Sequence, residues 1–186
     1  MKRTLTPKLL YPFALLPIVL ACNLAGVVKK AVDKAQQPTQ LTSSDGTTQL
    51  TLPGGWREEK EMNDSAILQA ASRFQEMYII VIKEHKQDYH EGATLQEFTE
   101  LSRTSLMTTV KEPQATEPVD LPIGAYPAME YQLDGSVDKI KVKYICATVE
   151  TPNHYYQVLT WTLPSRFAKN EATLRQVMQS FKELKD

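Results

Sequence analysis

Residues 128–163 constrain this chain more than any other part of it. "AMEYQL", "DKIKVKYICATVE" and "HYYQVLTWTL" are dense in β-branched and aromatic residues, and they are separated by an Asp134-Gly135 dipeptide and by "TPN" at residues 151–153. Runs of this kind divided by turn residues read as a three-strand antiparallel meander. Upstream, "TTQLTLP" alternates Leu50 and Leu52 with polar residues before Pro53 and two glycines, and "AILQAAS" and "MYIIVIKEH" supply two more strands.

Helices are fewer. Thr94 and Glu97 stand three apart ahead of an apolar-periodic stretch, a capping box, and Leu95, Phe98, Leu101, Leu106 and Val110 form the expected buried side. A closing helix carries Leu174, Val177, Met178, Phe181 and Leu184 on one face. Between the first helix and the meander, residues 111–127 hold four prolines and read as a loop with at most one edge strand near "PVDL". Strands that outnumber helices and join by hairpins predict an α+β domain, an antiparallel sheet with helices packed on its faces.

The amino-terminal segment has a different character. Lys2, Arg3 and Lys8 precede an uncharged run of 13 residues, Leu9 to Ala21, interrupted by Pro12 and Pro17. A membrane-spanning helix needs roughly 20 apolar residues, so the pattern predicts a cleaved secretory signal. Its end, "VLAC", resembles the lipobox of bacterial lipoproteins, although Leu20 is bulkier than the residue usual there. The resemblance implies cleavage after Ala21 and acylation of Cys22, and two or more acyl chains at about 0.8 kcal/mol per buried methylene make a lasting anchor. The chain is therefore divided into a signal peptide at 1–21, a tether at 22–46, rich in Ala, Lys, Gln, Ser and Thr, and a folded domain at 47–186.

Removal of the three basic residues in 1–21 takes the formal net charge from −1 to −4. A mildly acidic body without a concentrated basic surface argues against nucleic acid as a partner. With Cys22 acylated, Cys146 is the remaining thiol and no disulfide within the chain is expected.

The order of these elements, "LPGGW" at residues 52–56, "YQVLTWTLPSRF" at 156–167 and "LRQVMQSF" at 174–181, is similar to the PsbP and DcrB superfamily of α/β/α sandwiches. That resemblance implies a non-catalytic binding or assembly module, anchored through its lipid on the periplasmic side of a bacterial membrane and docked to an envelope or photosynthetic-membrane protein. It supplies no shared catalytic motif and no cofactor. The competing expectation is a small-ligand-binding protein or a hydrolase whose site forms only in three dimensions.

Few residues stand out as site candidates. Lys139, Lys141 and Lys143 fall on one side of a strand and are the expected contact for an acidic partner or anionic headgroups; such lysines also protect strands from mispairing. Cys146 shares the opposite parity with Ile140, Val142 and Tyr144, which predicts a buried, inert thiol. His85, Asp88 and His90 crowd one loop, yet the five-residue histidine spacing suits neither helix nor strand ligation, and no metal site is expected. Trp161, with Leu159 and Leu163, is assigned to the core, Trp56 is placed as a lid over a sheet edge, and His154 is read as a surface residue of a turn. GxSxG, HExxH, CxxC and P-loop patterns are absent from the sequence.

Overall fold

Each long strand separates its residues onto two sides, and the sides differ. In the strand His154–Thr162, Tyr156, Val158 and Thr160 are buried on one face, while Tyr155, Gln157, Leu159 and Trp161 occupy the other. The computed structural model describes residues 37–184. Its strands are β1 (Thr39–Thr42), β2 (Thr48–Leu52), β3 (Arg57–Glu58), β4 (Ala66–Ser72), β5 (Met77–His85), β6 (Lys111–Ala115), β7 (Val119–Asp120), β8 (Ala128–Val137), β9 (Ile140–Glu150), β10 (His154–Thr162) and β11 (Lys182–Glu183). The helices are α1 (Leu95–Thr109) and α2 (Pro164–Gln179).

Eight strands make an antiparallel sheet in the order β3-β4-β5-β10-β9-β8-β6, with β7 also paired to β8. The small sheet β1-β2-β11 and α2 cover one face, where Leu50, Leu52, Ile79, Val158, Leu174 and Met178 belong to the main core. The other face carries α1 and a smaller cluster of Ile80, Tyr131, Cys146 and Leu159. The domain is thus α+β with helices on both sides of the sheet, as the sequence predicted.

Four local readings are corrected. Asp134-Gly135 is not a turn: β8 runs through it, paired with Lys143 and Val142, and the hairpin closes at Asp138 and Lys139, whose φ values of 47° and 71° are those a two-residue type I′ turn demands. Gly135 is instead required by packing, because a Cβ there would lie 2.9 Å from the Val110 side chain. The proline-rich segment contains β6, in which Pro113 sits at a register irregularity on the sheet edge where its missing N–H does no harm. Leu101 is 55% exposed, and α1 buries Phe98, Thr99 and Ser102. Finally, residues 39–42 of the expected tether form β1, an edge strand whose exposed side chains left no apolar signature in the sequence.

The remaining joints are electrostatic. Arg175 on α2 holds the buried carboxylate of Glu130 on β8 and, at 3.0 Å, Glu171 one turn back along the helix. Lys83 of β5 pairs with Asp45 in the β1–β2 turn, fastening the small sheet to the large one.

Candidate functional site

A helix is about 10 Å across, while eight strands spaced about 4.8 Å span three times that width. One helix therefore cannot cover its face of the sheet. The amino-terminal half of α1 is fixed over the β9–β10 end: the Tyr155 hydroxyl donates to Ala93 O at 2.6 Å, Phe98 stacks on Tyr155 at 4.6 Å, and Thr99 and Thr148 hydroxyls meet at 2.6 Å. The helix packs on β6, β8 and β9 and touches β10 least. Between its carboxyl-terminal half (Ser105, Leu106, Thr109) and the loop at Met62 and Asn63, the face of β5, β10 and β9 remains open as a cleft of about 770 Å³. That volume lies within the roughly 300–1,000 Å³ of ligand-binding clefts.

Register builds the cleft wall. Trp161 pairs across β10 with Tyr78 of β5 on one side and with Tyr144 of β9 on the other. The indole stacks on Tyr78 with ring centroids 5.3 Å apart and planes 13° from parallel, and meets Tyr144 at 5.6 Å. Ile80, Leu159 and Ile82 continue the floor one way along the strands, and Val142 and Ile140 the other way. Burial, with the nearby Cys146 thiol adding to it, pushes the Tyr144 phenol up to about 12, so it stays a neutral donor.

The cleft carries two carboxylates, Glu76 and Asp138, and among the described residues no lysine, arginine, histidine or cysteine lines it. Glu76 is ion-paired with Arg166 of α2. Ser105 lines the wall, and among the described residues no histidine lines the cleft beside it.

The residues singled out from sequence disperse. Lys139 lies in the hairpin turn and Lys141 beside it, both exposed, while Lys143 donates to Asp134 at 2.7 Å and sits 4.9 Å from the Phe167 ring centroid. The three do not form one free stripe. His85 packs its ring against His154 at 4.8 Å, Asp88 lies in a short 3-10 turn, and His90 Nε2 is 3.7 Å from Glu97; among the described residues no three potential ligands converge on a metal position. Cys146 is fully buried as expected, and burial drives its thiol far above the usual range, offset only in part by the Tyr131 hydroxyl beside it. Trp56 is a core residue, 6% exposed. Trp161 is not: it is half-buried and faces the cleft. His154 is corrected from surface to interior, 5% exposed, with Nδ1 3.1 Å from Glu183 Oε1, an oxygen that also accepts from Thr151 and Tyr156. Cys22, the signal peptide and the tether as far as residue 36 lie outside the described residues.

A twisted antiparallel sheet with one helix on each face defines the PsbP-like fold. The chain is similar to cyanobacterial PsbP (CyanoP) from Synechocystis sp. PCC 6803, with a TM-score of 0.60 at 9% identity over 80% of this chain and 94% of that one. It is also similar to LpqN, involved in cell envelope biogenesis of Mycobacterium tuberculosis, with a TM-score of 0.59 at 13% identity over 85% and 97%. A protein of unknown function from Pseudomonas aeruginosa, PA94, aligns with a TM-score of 0.51 at 11% identity over 81% and 99%. No family model and no curated protein matches the sequence. Among the described residues no helix is long and apolar enough to cross a membrane.

Proposed function

We propose that this chain is a non-catalytic binding module of the bacterial envelope or photosynthetic membrane, held there by acyl chains on Cys22, and that it takes up an apolar ligand in the cleft beside Trp161. The observation that carries the reading is the cleft itself: aromatic rings stacked over three adjacent strands and walled by aliphatic side chains. An envelope address is supported by the basic, uncharged, Ala21-Cys22 order of the amino-terminal segment. LpqN, which shares the fold, is involved in cell envelope biogenesis. The exposed Lys139 and Lys141 at the hairpin tip are the side chains we assign to an acidic partner or to anionic headgroups.

Two measurements test this. The intact mass of protein extracted from membranes should equal residues 22–186 plus lipid, and Cys22→Ser should leave the chain unprocessed; a soluble product that starts elsewhere would overturn the anchor. The uncharged fluorophore N-phenyl-1-naphthylamine should bind saturably and quench Trp161 by energy transfer, and absence of saturable binding would overturn the cleft as a site.

A further inference from the structure

We infer that the ligand of the cleft is a neutral single-chain acyl lipid: one extended hydrocarbon chain bearing an uncharged polar headgroup. The inference rests on the reading of the cleft as a binding site and specifies what enters it.

Shape comes first. The floor runs along the strands from the Ile82 and Gln157 pair to Ile140. Gln157 pairs with Thr148 of β9, and Ile140 lies eight residues from Thr148 on that strand, so the floor is about 26 Å long at about 3.3 Å per residue. Across the strands the floor takes in β5, β10 and β9, whose outer two lie about 10 Å apart. A bilayer core of about 30 Å holds two chains end to end, so one chain needs about 15 Å of length. The floor takes such a chain lying along the strands and leaves room for a headgroup.

Charge decides the headgroup. The charged lining residues are carboxylates, Glu76 already neutralised by Arg166 and Asp138 exposed at the hairpin tip, and among the described residues no cation lines the cleft. A carboxylate or phosphate brought against the floor meets the charge of Asp138 and no cation of the lining. Hydroxyls and esters meet no such penalty. Asn63 and Gln157 offer hydrogen-bonding groups to a headgroup at one end of the floor, and Ile80, Ile82, Leu159, Trp161 and Val142 offer an apolar surface to a chain.

The test uses the mature protein loaded with N-phenyl-1-naphthylamine and a series of competitors: octanoyl, dodecanoyl and hexadecanoyl monoglycerides, and hexadecanoate. Displacement should strengthen with chain length up to hexadecanoyl, and hexadecanoate should compete about tenfold less well than its monoglyceride. Trp161→Ala should weaken the monoglyceride about tenfold. Asp138→Asn, which keeps a residue tolerant of positive φ in the turn, should bring hexadecanoate about threefold closer to its monoglyceride. If the fluorophore binds but no monoglyceride displaces it, the ligand class is wrong and the cleft survives as a site. Equal displacement by hexadecanoate and its monoglyceride overturns the neutral headgroup. If the fluorophore does not bind, the inference and the reading beneath it both fall.

Discussion

The indole of Trp161 and the phenol ring of Tyr78 stack at 5.3 Å on neighbouring strands, and they do so outside the main core, on the part of the sheet that α1 leaves open. The other tryptophan, Trp56, is buried in the main core. Ring size is the same at the two positions, so burial alone sets the difference in stability. Trp56→Ala should cost about 3–5 kcal/mol and Trp161→Ala about 1–2 kcal/mol, read as midpoints of urea unfolding at unchanged slope. Equal losses would place Trp161 in the core after all.

Gly135 predicts an effect that no turn assignment would. A methyl group there meets the Val110 side chain at 2.9 Å, just past α1, and Lys111 O at 3.2 Å, at the start of β6. Gly135→Ala should therefore destabilise the fold by about 1–3 kcal/mol through overpacking. The double variant with Val110→Ala should recover part of the loss, and thermal unfolding of the pair of variants checks both.

Asp45 links stability to pH. Burial alone would raise its carboxyl, but hydrogen bonds from Lys83, Ser43 and Thr47 outweigh burial and hold it well below the usual carboxylate range. A group depressed in the folded state contributes stability at pH values above its unfolded pKa, about 4, and that contribution fades as pH falls below it. Asp45→Asn should lose about 2 kcal/mol at neutral pH, with the gap to wild type closing on acidification below about pH 4. A gap that stays constant with pH would contradict the linkage.

The three lysines separate into two kinds. Lys143 is held by Asp134 and Phe167, so Lys143→Ala should cost about 1 kcal/mol, whereas Lys139→Glu with Lys141→Glu should stay within about 0.5 kcal/mol of wild type. In a crosslinking pull-down from membranes the Lys139→Glu, Lys141→Glu variant should lose the acidic partner. Capture at the wild-type level would reduce the two lysines to solvation of the hairpin tip.

Much of the frame was legible because period-2 runs such as β5 and β10 are dense in β-branched and aromatic residues, and because a capping box marks where α1 starts. What escaped depended on partners distant in sequence. Asp134-Gly135 has turn chemistry, yet the long pairing of β8 with β9 overrode it and moved the turn to Asp138-Lys139. That shift put Lys139 in the turn and set Lys143 opposite Asp134. His154 looked like a surface residue because its acceptor, Glu183, returns from the far end of the chain. The cleft was hidden for a similar reason: Tyr78, Tyr144 and Trp161 form a row only once three strands are in register, and no local pattern shows which part of a sheet face a single helix will leave bare.

Two single-tryptophan proteins provide the most direct measurement of the cleft. Trp56→Phe leaves Trp161 as the sole indole, and Trp161→Phe leaves Trp56. Titrated with a monoglyceride whose chain carries bromine, the protein that retains Trp161 should be quenched saturably, at the concentration that displaces N-phenyl-1-naphthylamine, and the protein that retains Trp56 should not. Equal quenching of both, or quenching of neither, would contradict an acyl chain lying against Trp161.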